Sequence, residues 1–383
     1  MQSTSNRSDA DRKGKEGNDP SCVSLHNHSQ DVPLNTQLLV LVHEWGHFFS
    51  ARKFGIKVEE FGFGFPPRIA SRVKNGVRYS FNLLPLGGFV KIFGEQGEGA
   101  GDPASFISRP AWQRFLVIVA GVLMNFVLAW VLFSLAAGVG APAAFGDEDA
   151  GARSAPVTIV GLAPGSPAEQ AGFQFGDAIE KVYAGGQDVS IPSVVFFQEI
   201  ISKHRGEEII VKFRRGSEAR EVVITPRVNP PEGEGAIGVA LVRVAFERSP
   251  WYRAPWDGFI TLMFAVQGIV VGVYSVFREL LTEGRLMGEV SGPVGIFIIT
   301  DQARSLGLSY VLHFIAILSV NLGVLNLLPI PALDGGRILF IAIEKLKGSP
   351  VNFKFEQRAH TVGFAILIFL MLLVTYRDVV RLF

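Results

Sequence analysis

The sequence predicts a polytopic α-helical membrane protein with about four transmembrane helices, a membrane-associated β-hairpin and one inserted α+β domain. Three observations carry that expectation. The 383 residues are 48% hydrophobic and only 19% charged, less charge than a soluble chain of this size usually carries. Asp, Glu, Lys and Arg are absent from Phe115–Gly146, Gly258–Phe277, Ser305–Leu333 and Thr361–Tyr376, and each stretch is near or above the length of a bilayer-crossing helix. Between the first two lies Pro156–Arg227, mixed in charge and rich in short β-type runs.

Taken in order, residues 1–34 are polar, with too few large apolar side chains to bury, and read as a disordered tail. Residues 35–54 form a helix in which LLVLVHEWGHFF sets a His-Glu-x-x-His motif into an apolar segment. Only about two helical turns, roughly 11 Å, of apolar sequence precede His43. Residues 55–112 form a loop; Arg52–Arg114 holds ten Lys/Arg against five Asp/Glu, which makes it cytoplasmic by the positive-inside rule. Within it Val58–Gly64 and Arg68–Ile92 alternate as strands do, and Lys74-Asn75-Gly76 offers a hairpin turn. FNLLPLGGFVKIFG is apolar for such a loop and suggests a hairpin dipping into the membrane face; a soluble hairpin in a small domain is the alternative.

Residues 113–140 are the second membrane helix, interrupted by Asn125, whose amide is expected to hydrogen-bond a neighbouring helix. Residues 155–228 read as strand, loop, short helix, turn and strand, then a helix ending near Lys203 and a hairpin. Residues 305–340 hold a third membrane helix and an LDGG turn, and 361–377 a short C-terminal one. The stretch 250–304 is awkward. Side-counting delivers the LDGG turn to the side of His47 only if Gly258–Phe277 does not fully cross. An interfacial or re-entrant segment is therefore expected there.

Residues four apart share a helix face, so His43 and His47 can present two imidazoles to one metal ion, with Glu44 beside them as a base. A catalytic zinc site needs a third protein ligand. Asp334 is the strongest candidate: an acid at the end of a membrane helix is costly unless paired or metal-bound, and Gly335 and Gly336 permit a close backbone approach and a sharp turn. A purely structural turn is its alternative. The competing ligand, His313, lies nearly six turns upstream, roughly 30 Å if helical. A lone cysteine, Cys22, excludes an internal disulfide and a Cys-rich metal site, and a net charge of +1 gives nothing for nucleic acid.

The SPAEQAGFQFGDAI segment resembles a PDZ domain, a module that binds peptides by adding a strand to a sheet edge. A folded spacer is the alternative. Together with HEWGH, FNLLPLGGFVKIFGE, SGPVGI at Ser291–Ile296 and SVNLGVLNLLPIPALDGG, it makes the chain from Leu38 onward resemble the site-2 protease family, closest to bacterial regulator-of-sigma-E proteases. The resemblance implies an intramembrane zinc metalloendopeptidase that cuts transmembrane segments of anti-sigma factors or signal-peptide remnants. It implies Zn2+ held by His43, His47 and Asp334, Glu44 as base, and Asn321 and Asn326 near the substrate strand. Leu84 and Leu86, on the apolar hairpin, are expected to pair with that strand. The implied partners are a transmembrane protein substrate, a peptide or protein ligand of the PDZ domain and the lipid bilayer. The implied location is the bacterial inner membrane, multi-pass, with the PDZ domain on the extracytoplasmic side. Such proteases have a longer apolar run before the metal motif, which favours a mis-assigned start over a truncated first helix. A membrane-anchored PDZ scaffold, with an inactive or merely structural zinc site, is the competing function. Asn321 and Asn326 are five apart and share no face of a regular helix, so only a local break would aim both at one strand.

Overall fold

The computed structural model describes residues 31–148, 155–231, 233–283, 292–349 and 351–381. The polar tail up to Gln30, with Cys22, and Ser291 of the SGPVGI motif lie outside the described residues.

Helix α1 (Asp31–Lys53) carries the His-Glu-x-x-His motif and leads into strands β1 (Val58–Lys74) and β2 (Val77–Ile92). The two long strands form their own sheet around an Asn75-Gly76 turn in which both residues have positive φ, as a two-residue hairpin requires. Each strand bends back, so that Phe61 lies beside Val90 on one side and Tyr79 on the other. The base of the hairpin packs into an apolar cluster with Ile56, Val117, Ile118 and Ile341. Its far part leaves Phe65, Ile69, Val73, Phe81 and Leu84 exposed. That is an apolar surface suited to a membrane face.

Helix α2 (Ala111–Val139) is the hub of the molecule. Its C-terminal end feeds a seven-stranded sheet of β3 (Ala141–Phe145), β4 (Val157–Leu162), β5 (Ala178–Ala184), β6 (Gln187–Ser190), β7 (Ile209–Arg215), β8 (Glu218–Ile224) and β9 (Val239–Glu247). The order is β3-β9-β4-β5-β7-β8, with β6 beside β5. Two short helices, α3 (Pro167–Gln170) and α4 (Val194–Lys203), are capped by Ser166 and Ser193, whose hydroxyls accept from Glu169 and Phe196 backbone N–H groups. Asp177, fully buried, is neutralised by a bidentate Arg215 pair at 2.7 Å. The sheet reaches past the expected 155–228 limits at both ends. Strand β9 completes the core from outside them by lying between β3 and β4.

Among the described residues four helices are long and apolar enough to cross a membrane: α2, α5 (Ala254–Glu283, over residues 254–279), α7 (Leu308–Leu327) and α9 (Phe353–Arg381, over 353–380). The number agrees with expectation and the membership does not, since α5 takes the place expected of α1. No proline or charge interrupts residues 258–277, so the helix simply continues. It runs antiparallel to α2: Ala254 lies next to Gly138, Gly258 against Ser134, and Leu262 clusters with Ala129 and Phe133. Helix α7 runs the same way, with Ser309 donating to the Gly140 carbonyl and Ser319 to that of Asn125. Helix α6 (Pro293–Leu306) ends one residue before α7, whose first turn lies at the C-terminal end of α2. Because α5 and α7 both start at that end of α2, the side on which Asp334 emerges does not depend on α5 staying out of the membrane. A crossing α5 and a correctly delivered Asp334 are compatible.

Candidate metal centre

The centre is assembled on one stripe of α2. Val117, Gly121 and Asn125 are four residues apart, so they face α1 together. Gly46 on α1 and Gly121 on α2 let the helices touch: a Cβ on Gly46 would lie 2.8 Å from the Gly121 Cα. Above Gly121 sit both imidazoles. His43 and His47 are buried, at 5% and 8% exposure, with rings edge-to-face at a centroid distance of 4.7 Å. The His47 Nδ1 lies 2.9 Å from the Val117 carbonyl oxygen, and the His43 Nδ1 lies 3.2 Å from the Asn125 amide.

Asp334 is the first residue of α8 (Asp334–Lys347). It arrives through a turn in which Ala332 takes a φ of 86°, a left-handed conformation that costs a residue with a side chain about 1–3 kcal/mol. Helix α9 holds that turn. The Ala332 N–H donates to His360 Nδ1 at 2.8 Å, and Gly363 lets α9 close directly onto the Pro331 backbone. The two glycines after Asp334 serve close approach, as expected, because side chains there would strike the carbonyls of Leu328 and Ile330. The sharp turn itself falls on Ala332 and not on them. His360→Ala removes the acceptor of a partly buried N–H, worth about 1–3 kcal/mol. It is expected to lower the thermal stability of the purified protein and to loosen zinc several-fold, read by chelator competition.

Helix α8 is fixed at two further points. Arg114 at the start of α2 grips Glu344 through two bonds of 2.5 and 3.1 Å, and Arg337 pairs with Glu95 beyond the hairpin.

The result is a compact triangle. Asp334 Oδ2 lies 3.0 Å from His43 Nε2 and 3.3 Å from His47 Nε2, and the two Nε2 atoms are 3.1 Å apart. Ligands of a tetrahedral zinc at about 2.0–2.1 Å stand about 3.3 Å from one another. One oxygen and two imidazole nitrogens converging without any alkyl group between them therefore fit that ion. Glu44 lies beside the triangle, and its Oε2 accepts the Val90 N–H at 2.9 Å, so strand β2 holds it. His313 lies elsewhere, against Phe133 nearer the C-terminal end of α2.

The other sequence-derived candidates are less gathered. Helix α7 continues unbroken to Leu327, so Asn321 and Asn326 point about 140° apart at 100° per residue. The break that would aim both at one strand is not there. Leu84 is exposed on β2, opposite Phe65, while the side chain of Leu86 lies outside the described residues. Sequence reasoning missed the Val117 carbonyl, Gly121, His360 and the Val90–Glu44 bond. Only Gly121-x-x-x-Asn125 carried a signal, a small residue and an amide at helical spacing in an otherwise apolar span.

Comparison with known proteins places the chain in a family. The model of Peptidase family M50 matches residues 36–370. The chain belongs to that family, the site-2 proteases. It is 31% identical to zinc metalloprotease RasP of Shouchella clausii, over 90% of this chain and 97% of that protein. It is 30% identical to RasP of Oceanobacillus iheyensis over the same shares. It is 28% identical to the regulator of sigma-W protease RasP of Bacillus subtilis, over 90% and 96%. This M50 chain is thus a multi-pass membrane zinc metalloprotease, and zinc is its cofactor.

Proposed function

We propose that the chain is an intramembrane endopeptidase that cleaves transmembrane segments of other membrane proteins, anti-sigma factors or signal-peptide remnants, in regulated proteolysis. One observation carries the reading. The triangle of His43, His47 and Asp334 lies against Val117–Asn125, about 9–21 Å along an apolar α2 of 29 residues. That depth is inside a hydrocarbon core of about 30 Å. A substrate reaching it must itself be in the membrane.

Zinc held there would lower the pKa of a water and polarise the scissile carbonyl. Glu44, tethered through one oxygen to Val90, keeps the other free to take a proton from water and hand it to the leaving nitrogen. The substrate must be extended, since helical amides are shielded by their own hydrogen bonds. Strand β2, with Leu84 and Leu86 on its apolar part, is the edge on which we seat it. Asn321 and Asn326 would serve only after a local unwinding of α7.

The seven-stranded domain reads as a PDZ module for a peptide or protein ligand. In support, among the described residues β3 pairs with Arg243–Glu247 of β9 and with none of 239–242. A groove of about 230 Å³ lined by Phe197, Ile201, Arg205, Ile237 and Val239 runs beside it. The basic stretches Arg52–Arg114 and Arg337–Arg358 lie at the opposite end of α2. We therefore place the domain on the extracytoplasmic side of the bacterial inner membrane.

The test is reconstitution of the purified chain into vesicles. A transmembrane peptide substrate should be cut, cutting should stop with a zinc chelator, and Zn2+ should restore it. A membrane-anchored scaffold would leave the peptide intact under all three conditions. A tethered peptidase for soluble substrates would cut a water-soluble peptide equally well.

A further inference from the structure

His47 and His43 face the same chemical requirement and meet it differently. An imidazole that offers Nε2 to a metal must carry its proton on Nδ1 and so must find an acceptor there. For His47 the acceptor is the Val117 carbonyl oxygen at 2.9 Å. For His43 the partner is the Asn125 side chain, whose Nδ2 stands 3.2 Å from Nδ1. Two donors would then face each other, or else Nδ1 is bare and the proton sits on Nε2, where it blocks the metal. The other end of the same amide, Oδ1, has no hydrogen-bond partner among the described residues, on a residue that is fully buried. The two ends of an amide have nearly the same shape and exchange by a half-turn about χ2.

We infer that Asn125 presents its carbonyl oxygen to His43, accepts the Nδ1–H and thereby fixes the tautomer that leaves Nε2 free for zinc. Asn125 is a positioning residue. Its backbone is itself held, because the buried Ser319 hydroxyl of α7 donates to the Asn125 carbonyl at 2.8 Å. The amide thus stands where α1, α2 and α7 meet. Val117 and Asn125, eight residues apart on one face of α2, orient the two histidines in parallel.

The inference rests on His43 being a zinc ligand. The test uses the full chain in detergent and reads zinc affinity by competition with a chromogenic chelator. Asn125→Leu, close in shape but without an acceptor, should weaken zinc about 10- to 100-fold. Asn125→Asp, which can accept but not donate, should bind within about threefold of the parent or tighter. If Asp falls as far as Leu, Asn125 donates and the inference is overturned; unchanged affinity in Asn125→Leu overturns it too. His43→Ala separates the two levels, since parental zinc affinity in that variant would remove the ligand assignment itself. A readout that needs no variant is 15N-histidine NMR of the zinc-loaded chain. A protonated Nδ1 on both His43 and His47 supports the assignment, and a bare His43 Nδ1 refutes it.

Discussion

Glu44→Gln is expected to reduce cleavage of a transmembrane substrate by about a thousandfold while leaving the zinc content unchanged. The size follows from the general acid–base role we propose for Glu44, worth about 10²–10⁴ in rate. Retention of zinc follows from geometry. Glu44 is not a corner of the triangle, and the Val90 N–H that anchors its Oε2 can be met equally by the glutamine carbonyl oxygen. Helix α1 and strand β2 therefore keep their contact, and His43, His47 and Asp334 keep theirs. What is lost is the second oxygen: an amide nitrogen at that place cannot receive a proton from water. Metal analysis and a cleavage assay on the same preparation separate the alternatives. Substantial residual cleavage would move the base elsewhere. Loss of zinc would mean that Glu44 supports the metal and not the proton.

The histidine pair was legible because its spacing is local: four residues on a helix share a face whatever surrounds them. Asp334 was legible for an energetic reason, an acid at the end of an apolar span needing a partner. The hairpin was legible from its alternation and from Asn75-Gly76. The second layer of the centre was not, because it depends on the register between α1 and α2. Nothing in the letters says that the Val117 carbonyl, rather than that of Ile118, will face His47. For Asn125 the sequence supplied a neighbouring helix but not the residue on it. Strand β9 escaped because a strand added from a distant segment has no local mark tying it to its sheet. The crossing-capable α5 escaped for the opposite reason. Its local signal is clear, but the order of crossings depends on which end of α2 the start of α7 lies against, and no local pattern encodes that.

Gly121→Ala is the smallest substitution expected to dismantle the centre. A Cβ at Gly121 would lie 2.5 Å from both Cε1 and Nε2 of His47 and 2.9 Å from Cε1 of His43. Those distances are well inside contact, so something must move by about 1 Å. The rings cannot swing away cheaply, since His47 is tied to Val117 and His43 packs edge-on against His47. The helices cannot part cheaply either, because Gly46 is already seated on Ala120 and Gly121, and Asn125 is tied through Ser319 to α7. Overpacking of this kind costs about 1–3 kcal/mol in a buried site, and here the strain falls on two of the three corners of the triangle. A ligand shifted by 1 Å leaves the ~2 Å bond length that zinc requires. Zinc affinity is therefore expected to fall by at least a hundredfold and cleavage to vanish, with the helical content by circular dichroism preserved. Gly46→Ala should act through helix separation and lose thermal stability along with zinc, whereas Gly121→Ala should lose zinc first. Parental zinc affinity in Gly121→Ala would show that the imidazoles do not stand over Gly121 at all, and the triangle would have to be built from another register of α1 on α2.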